Sequence, residues 1–115
     1  MSEKVTLRMP DLYPDEYLKA SEKFKQLSGP TAEAYKAWHT QTMNAGALDK
    51  KTKELVALGI ACAIRCEYCI DSHTQKAKAF GATAQEVAEV IQVATLVNAG
   101  STISYGIQAL EHYSE

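Results

Sequence analysis

Proline is nearly absent from this chain wherever helix would be at stake. Its three prolines stand at 10, 14 and 30, so from Thr31 onward only scattered glycines oppose helix. Also missing are the apolar–polar alternation and the hairpin turns by which strands are recognised. Both absences point to an all-α fold. Charge of one sign is lacking too. Twelve Lys and Arg face fourteen Asp and Glu, for a net charge of −2, which offers no basic face for nucleic acid. Residues Met1 to Pro10 are polar and mixed in charge, without the apolar stretch of a signal peptide. The longest uncharged apolar run, Leu55 to Ile64, has ten residues. That is too short to span a bilayer and reads as a buried helix. A cytoplasmic protein with no membrane partner is expected. There, cysteines rest reduced, so a CxxC pair is more often catalytic or metal-binding than a structural staple.

The 115 residues are most simply one domain, with residues 1–13 as an N-terminal extension. No linker, repeat or low-complexity tract divides them. Pro14 suits a first helical turn, with Asp15 and Glu16 at the positive end of the dipole, and Ser28-Gly29-Pro30 ends that helix. Thr31 is expected to cap a second helix, closed by Asn44-Ala45-Gly46. A third starts near Asp49 and carries Leu55, Leu58, Gly59 and Cys62 at helical spacing. A fourth covers about Glu67 to Phe80 and stops at Gly81. Thr83 caps a fifth, with Glu86 completing a capping box. Asn98-Ala99-Gly100 is expected to interrupt it, leaving Ser101 to Tyr113 as a sixth helix. Val87, Val90, Ile91, Val93, Leu96 and Val97 spread around the fifth helix. That is more apolar surface than one small bundle can bury, so assembly into a homo-oligomer through these helices is expected.

Three cysteines are present, at 62, 66 and 69. Cys62 lies among Ala61, Ala63 and Ile64 and reads as a small buried hydrophobe. Cys66 and Cys69 are spaced to close a small disulfide, and His73 follows one helical turn after Cys69. On one helix, spacings of three and four residues put all three side chains on one face. The reactive species is the thiolate. His73, Arg65 and a helix start near Arg65 would favour it, and Glu67 opposes it. The alternative chemistry is a zinc site drawn from Cys62, Cys66, Cys69 and His73. Strung along one helix, those ligands would spread over about 16 Å, too far to surround one metal ion. A set of Cys66, Cys69, His73 and Glu54 stays geometrically open. Tyr68, between the cysteines, could donate a hydrogen bond or simply pack. Glu54 follows Lys50, Lys51 and Lys53. It is either a solvated charge or, if the third helix lies on the fourth, a partner for His73, and spacing does not decide between them.

Glu54-Leu-Val-Ala-Leu-Gly, then Cys66-Glu-Tyr-Cys69-Ile-Asp-Ser-His73, then Ala-Phe-Gly81-Ala-Thr-Ala-Gln-Glu-Val87 resembles the AhpD-like alkylhydroperoxidase branch of the carboxymuconolactone decarboxylase family, over about residues 31 to 110. The resemblance implies an all-helical fold assembling into trimers or hexamers. It implies a redox-active Cys66–Cys69 pair that reduces a hydroperoxide or a disulfide substrate in antioxidant defence. The pair would be recycled by an external, lipoamide-like dithiol reductant, with no metal and no tightly bound cofactor. Glu54 and His73 would form a proton relay. Cys69 would be the attacking sulfur, while Cys66 supplies a proton and resolves the disulfide. The best-known enzymes of this branch have two related halves and a second histidine where this chain has Tyr68. The decarboxylases of the wider family lack the cysteine pair. Two other readings remain: a redox-sensing oligomeric module without efficient turnover, and a zinc-binding module.

Overall fold

The computed structural model describes residues 15–114, and over them the chain is a single all-helical domain. The expected extension over residues 1–13, and the role given to Pro14, lie outside the described residues. Five α-helices follow one another: α1 (Asp15–Ser28), α2 (Pro30–Met43), α3 (Lys50–Ile64), α4 (Glu67–Ala79) and α5 (Ala84–Gly106). A short 3₁₀ helix, Ile107–His112, closes the order.

Helix α3 packs on both α4 and α5 and carries most of the core. Glu54, Leu58 and Ala61 recur at i, i+4 and i+7 and are all buried, as one face of a helix against its neighbours requires. Ala77 of α4 is fully buried as well. Gly59 sets the approach of α5 to α3: a Cβ there would stand 3.3 Å from Val90 Cγ1.

Local chemistry sets the helix ends. Asp49 caps α3 by accepting from the Thr52 N–H at 2.7 Å. Thr83 and Glu86 form the expected capping box at the start of α5. Helix α4 closes on Gly81, whose φ is +95°. Gly81 N–H donates to the Lys78 carbonyl at 3.0 Å, and Ala82 N–H to that of Ala77 at 2.9 Å, the paired bonds of a Schellman motif.

Two boundaries differ from expectation. Helix α2 begins at Pro30, with Gly29 and not Thr31 as its cap, and no side chain satisfies that cap. Proline's fixed φ is already helical and its missing N–H costs nothing at a first position, so the helix starts one residue earlier. Helix α5 runs straight through Asn98-Ala99-Gly100 to Gly106, and only six residues beyond it adopt a different, 3₁₀ winding. Glycine lowers helix stability by about 1 kcal/mol relative to alanine, but it keeps its N–H and breaks no bond of the ladder.

Glu86 also ties α5 to α3. Its carboxylate accepts from the Thr83 N–H at 2.9 Å and from Lys51 Nζ at 3.0 Å. The Thr83 backbone hydrogen bond first, and then Lys51, hold its pKa below the usual glutamate value. The Thr52 backbone N–H does the same for Asp49. A carboxyl whose folded pKa is depressed adds stability above its unfolded pKa and loses it as pH falls through the folded value. The melting temperature is therefore expected to drop as pH is lowered from about 5 to about 2. Glu86→Gln should flatten part of that drop in a calorimetric pH series, and an unchanged profile would refute the assignment.

Candidate active site

The loop between α3 and α4 is a single turn, and it delivers the cysteines. Helix α3 ends with Arg65 in the left-handed region, φ 58° and ψ 47°. Arg65 N–H donates to the Cys62 carbonyl at 3.3 Å and Cys66 N–H to that of Ala61 at 3.0 Å, so α3 closes on the same bond pattern as α4. The chain turns there, and Cys66 becomes the N-cap of α4. The turn separates Cys62 from Cys66, so the four residues weighed as zinc ligands do not lie along one helix as expected, and Cys66 stands just before the expected helix start at Glu67. The Cys66 sulfur accepts from the Cys69 N–H at 3.2 Å, which a residue in the helix body could not arrange.

Cys66 and Cys69 form a disulfide with Cα atoms 5.2 Å apart. Both are half-buried. His73 lies one turn after Cys69 on α4, within the range of an i,i+4 neighbour. Cys62 belongs to α3, is half-buried and remains a free thiol; the expected full burial is not reached.

The structure settles where Glu54 lies. It is 3% exposed, the buried charged residue among those described, and its Oε1 lies 2.7 Å from His73 Nδ1. An ionised carboxylate can only accept, so Nδ1 carries the hydrogen of that bond and Nε2 is left as the basic nitrogen. Glu54 thus orients the ring and fixes its tautomer. Its other surroundings form an open cavity of about 340 Å³ with Met43, Lys50, Lys76 and Phe80, where the Lys50 ammonium stands 5.8 Å from the centre of the Phe80 ring. Tyr68 is partly exposed beside the disulfide. His39 lies far along α2 against the ring of Tyr35, and His112 is in the terminal 3₁₀ helix.

The four candidate residues therefore form two pairs on α3, α4 and the turn between them: Glu54 and His73 hydrogen-bonded, Cys66 and Cys69 bonded to each other. Among the described residues, no group of three or more His, Cys, Asp or Glu is placed to hold a metal ion. Sequence reasoning passed over the capping role of Cys66 and the left-handed Arg65, because no glycine marks the end of α3. It had a usable signal for Glu54 in its place on the Leu58–Ala61 stripe.

Known proteins are similar to this chain. The model of the carboxymuconolactone decarboxylase family matches residues 30–112. An uncharacterized protein of the cox locus of Paracoccus denitrificans is 40% identical over 65 residues, which cover 56% of this chain and 59% of that protein. An uncharacterized protein of Haemophilus influenzae is 42% identical over 82 residues, covering 71% of this chain and 73% of that one. The crystal structure of a protein from Methanobacterium thermoautotrophicum superposes with a TM-score of 0.71 at 29% identity, over 78% of this chain and 97% of that one.

Glu54 is buried and His73 half-buried, so removing the histidine leaves an uncompensated buried carboxylate, which typically costs about 3 kcal/mol. His73→Ala is expected to lose about that much stability in urea denaturation. A loss under about 1 kcal/mol would match a solvated pair instead.

Proposed function

The chain belongs to the carboxymuconolactone decarboxylase family, and we propose that within it this protein is a cytoplasmic dithiol–disulfide oxidoreductase that reduces hydroperoxides. The observation that carries the reading is the Cys66–Cys69 disulfide with His73 one turn away and Glu54 buried against that histidine.

In the reduced protein, His73 Nε2 takes the Cys69 thiol proton. The Cys69 thiolate attacks one peroxide oxygen, the O–O bond breaks, and the leaving alkoxide picks up a proton to depart as alcohol. The peroxide is reduced by two electrons and Cys69 becomes a sulfenic acid. Cys66 then attacks the Cys69 sulfur as its thiolate, expelling the oxygen as water and forming the disulfide. The Cys69 N–H and the first turn of α4 favour negative charge on Cys66 for that step. An external dithiol, lipoamide-like, returns both thiols by exchange and leaves as its own disulfide. No tightly bound cofactor enters this cycle. Tyr68 occupies the place of the second histidine of the best-known AhpD-like enzymes, so the proton traffic falls to His73 and Glu54.

Steady-state turnover with an alkyl hydroperoxide and dihydrolipoamide tests this. Cys66→Ser and Cys69→Ser are each expected to abolish it, and His73→Gln to slow it by about 10²-fold or more, as loss of an acid–base group does. Full activity in either serine variant would sink the mechanism. Oxidation without turnover would favour the redox-sensing module instead.

We further propose that a second copy of the chain covers the outer face of α3 and α5. An open apolar groove of about 580 Å³ runs between them, lined by Leu55, Val56, Ile60, Val90 and Val93. Val56, Ile60 and Val93 of that lining are exposed, as is Val97, and patches of this kind mark association surfaces. Sedimentation should give three or six copies of the 12.6 kDa chain, and Val93→Glu should dissociate them. A monomer at micromolar concentration would rule the assembly out.

A further inference from the structure

Helix α1 stands apart from the core. It meets α2 across the single residue Gly29, at φ +54°, and its contacts with the rest of the described chain are at most marginal. Yet it is amphipathic. Ala20, Phe24 and Leu27 recur at i, i+4 and i+7, one face of a helix. All three are exposed, Phe24 by 70% and Leu27 by 78%. A lone helix of 14 residues is marginal in water, and helices in proteins are held mainly by the packing of such a face. The described residues of its own chain leave that face uncovered. The same chain has an uncovered apolar groove of about 580 Å³ between α3 and α5. The two surfaces are complementary in shape. A helix face is a ridge, and the space between two helices is the furrow into which a third helix packs. Two furrows set face to face would leave both unfilled.

We propose that α1 of one copy of this chain seats its Ala20, Phe24 and Leu27 stripe in the α3–α5 groove of the next copy. The proposal rests on the assembly reading above and names the segment that fills the groove. Area supports a second copy as the occupant. The chain exposes 9258 Å², whereas a compact monomer of 12.6 kDa exposes about 6,200 Å². That surplus exceeds the area of about 800 Å² per partner that a stable interface removes, and ridge and groove are two interfaces on every chain. Charge agrees. Lys23 flanks the stripe one turn before Leu27, and Glu89 on the groove wall is in neither salt bridge of the described residues. Because the contact joins unlike surfaces, it runs head to tail. Such contacts close into rings and not into face-to-face pairs, in keeping with three or six copies.

Sedimentation of two full-length variants, alone and mixed, tests this. Phe24→Glu spoils the ridge and leaves the groove intact. Val93→Glu spoils the groove and leaves the ridge intact. Each alone is expected to fall from the parent's assembly to a single chain of 12.6 kDa. Mixed in equal amounts, they should recover a two-chain species, because the ridge of a Val93→Glu chain still fits the groove of a Phe24→Glu chain. Phe24→Leu, which keeps the stripe apolar, should assemble as the parent does. Phe24 and Leu27 are exposed in their own chain, so Phe24→Glu and Leu27→Glu should both keep most of their helical circular dichroism and both dissociate. If the parent assembles but both of those variants stay assembled, or if the mixture stays monomeric, the proposal is overturned and the assembly reading stands. A monomeric parent would overturn both.

Discussion

The hydrogen bond between Glu54 and His73 is the constraint on which the rest of this structure turns. A carboxylate taken out of water is strongly disfavoured unless it is paired and hydrogen-bonded. Glu54 stands in the buried stripe of α3, one turn before Leu58. Its partner comes from α4 at 2.7 Å, so α3 and α4 can cross only where that bond closes. The interaction that fixes the helix pair also fixes the imidazole. With Nδ1 committed to the carboxylate, Nε2 is the ring nitrogen that would exchange protons with the sulfur in the proposed cycle. Fold and chemistry therefore depend on one contact.

The turn between those helices supplies the second half of the site. Helix α3 ends at Ile64 and α4 begins at Glu67, which leaves two residues to reverse the chain. Arg65 does so in the left-handed region, and Cys66 enters as a helix cap. The two sulfurs are consequently unequal. Cys66 lies at the positive end of α4 and accepts a backbone N–H, whereas Cys69 lies within the first turn on the side of His73. That inequality is suited to a cycle in which one thiolate is stabilised by the backbone and the other is managed by a proton carrier.

Much of this was legible beforehand, for identifiable reasons. Helix class followed from the missing prolines and strand patterns, and the capped ends at Asp49, Gly81 and Thr83 follow from residues that act on their own local backbone, two by a side-chain acceptor and Gly81 by its positive φ. The readings that missed were those for which the local signal is weak or competes with another. Thr31 looks like a cap, but Pro30 starts the helix sooner. Gly100 looks like a stop, yet a single glycine only weakens a ladder that continues on both sides. Glu54 was ambiguous because three lysines precede it although it lies on the Leu58–Ala61 stripe, and the packing of α3 on α4 shows that it faces inward. Arg65 was invisible as a turn residue because nothing in its chemistry announces a positive φ.

Little is buried within the described residues: Leu58 is the large side chain that is fully enclosed, while Phe24, Leu27 and Trp38 of the first two helices are mostly exposed. Burying one such side chain is worth about 1.5–3 kcal/mol, so an uncovered set of this size is a large unused source of stability. Helix α5 is apolar around most of its circumference, which in a globular setting describes a helix covered on more than one side. One side meets α3 at Gly59 and Val90; another borders the groove. The helix on the far wall of that groove is α3, which also carries Glu54. In the proposed assembly, a neighbour seated in the groove would brace the helix that positions the carboxylate, so that subunit association and proton handling at the cysteine pair would be linked through α3.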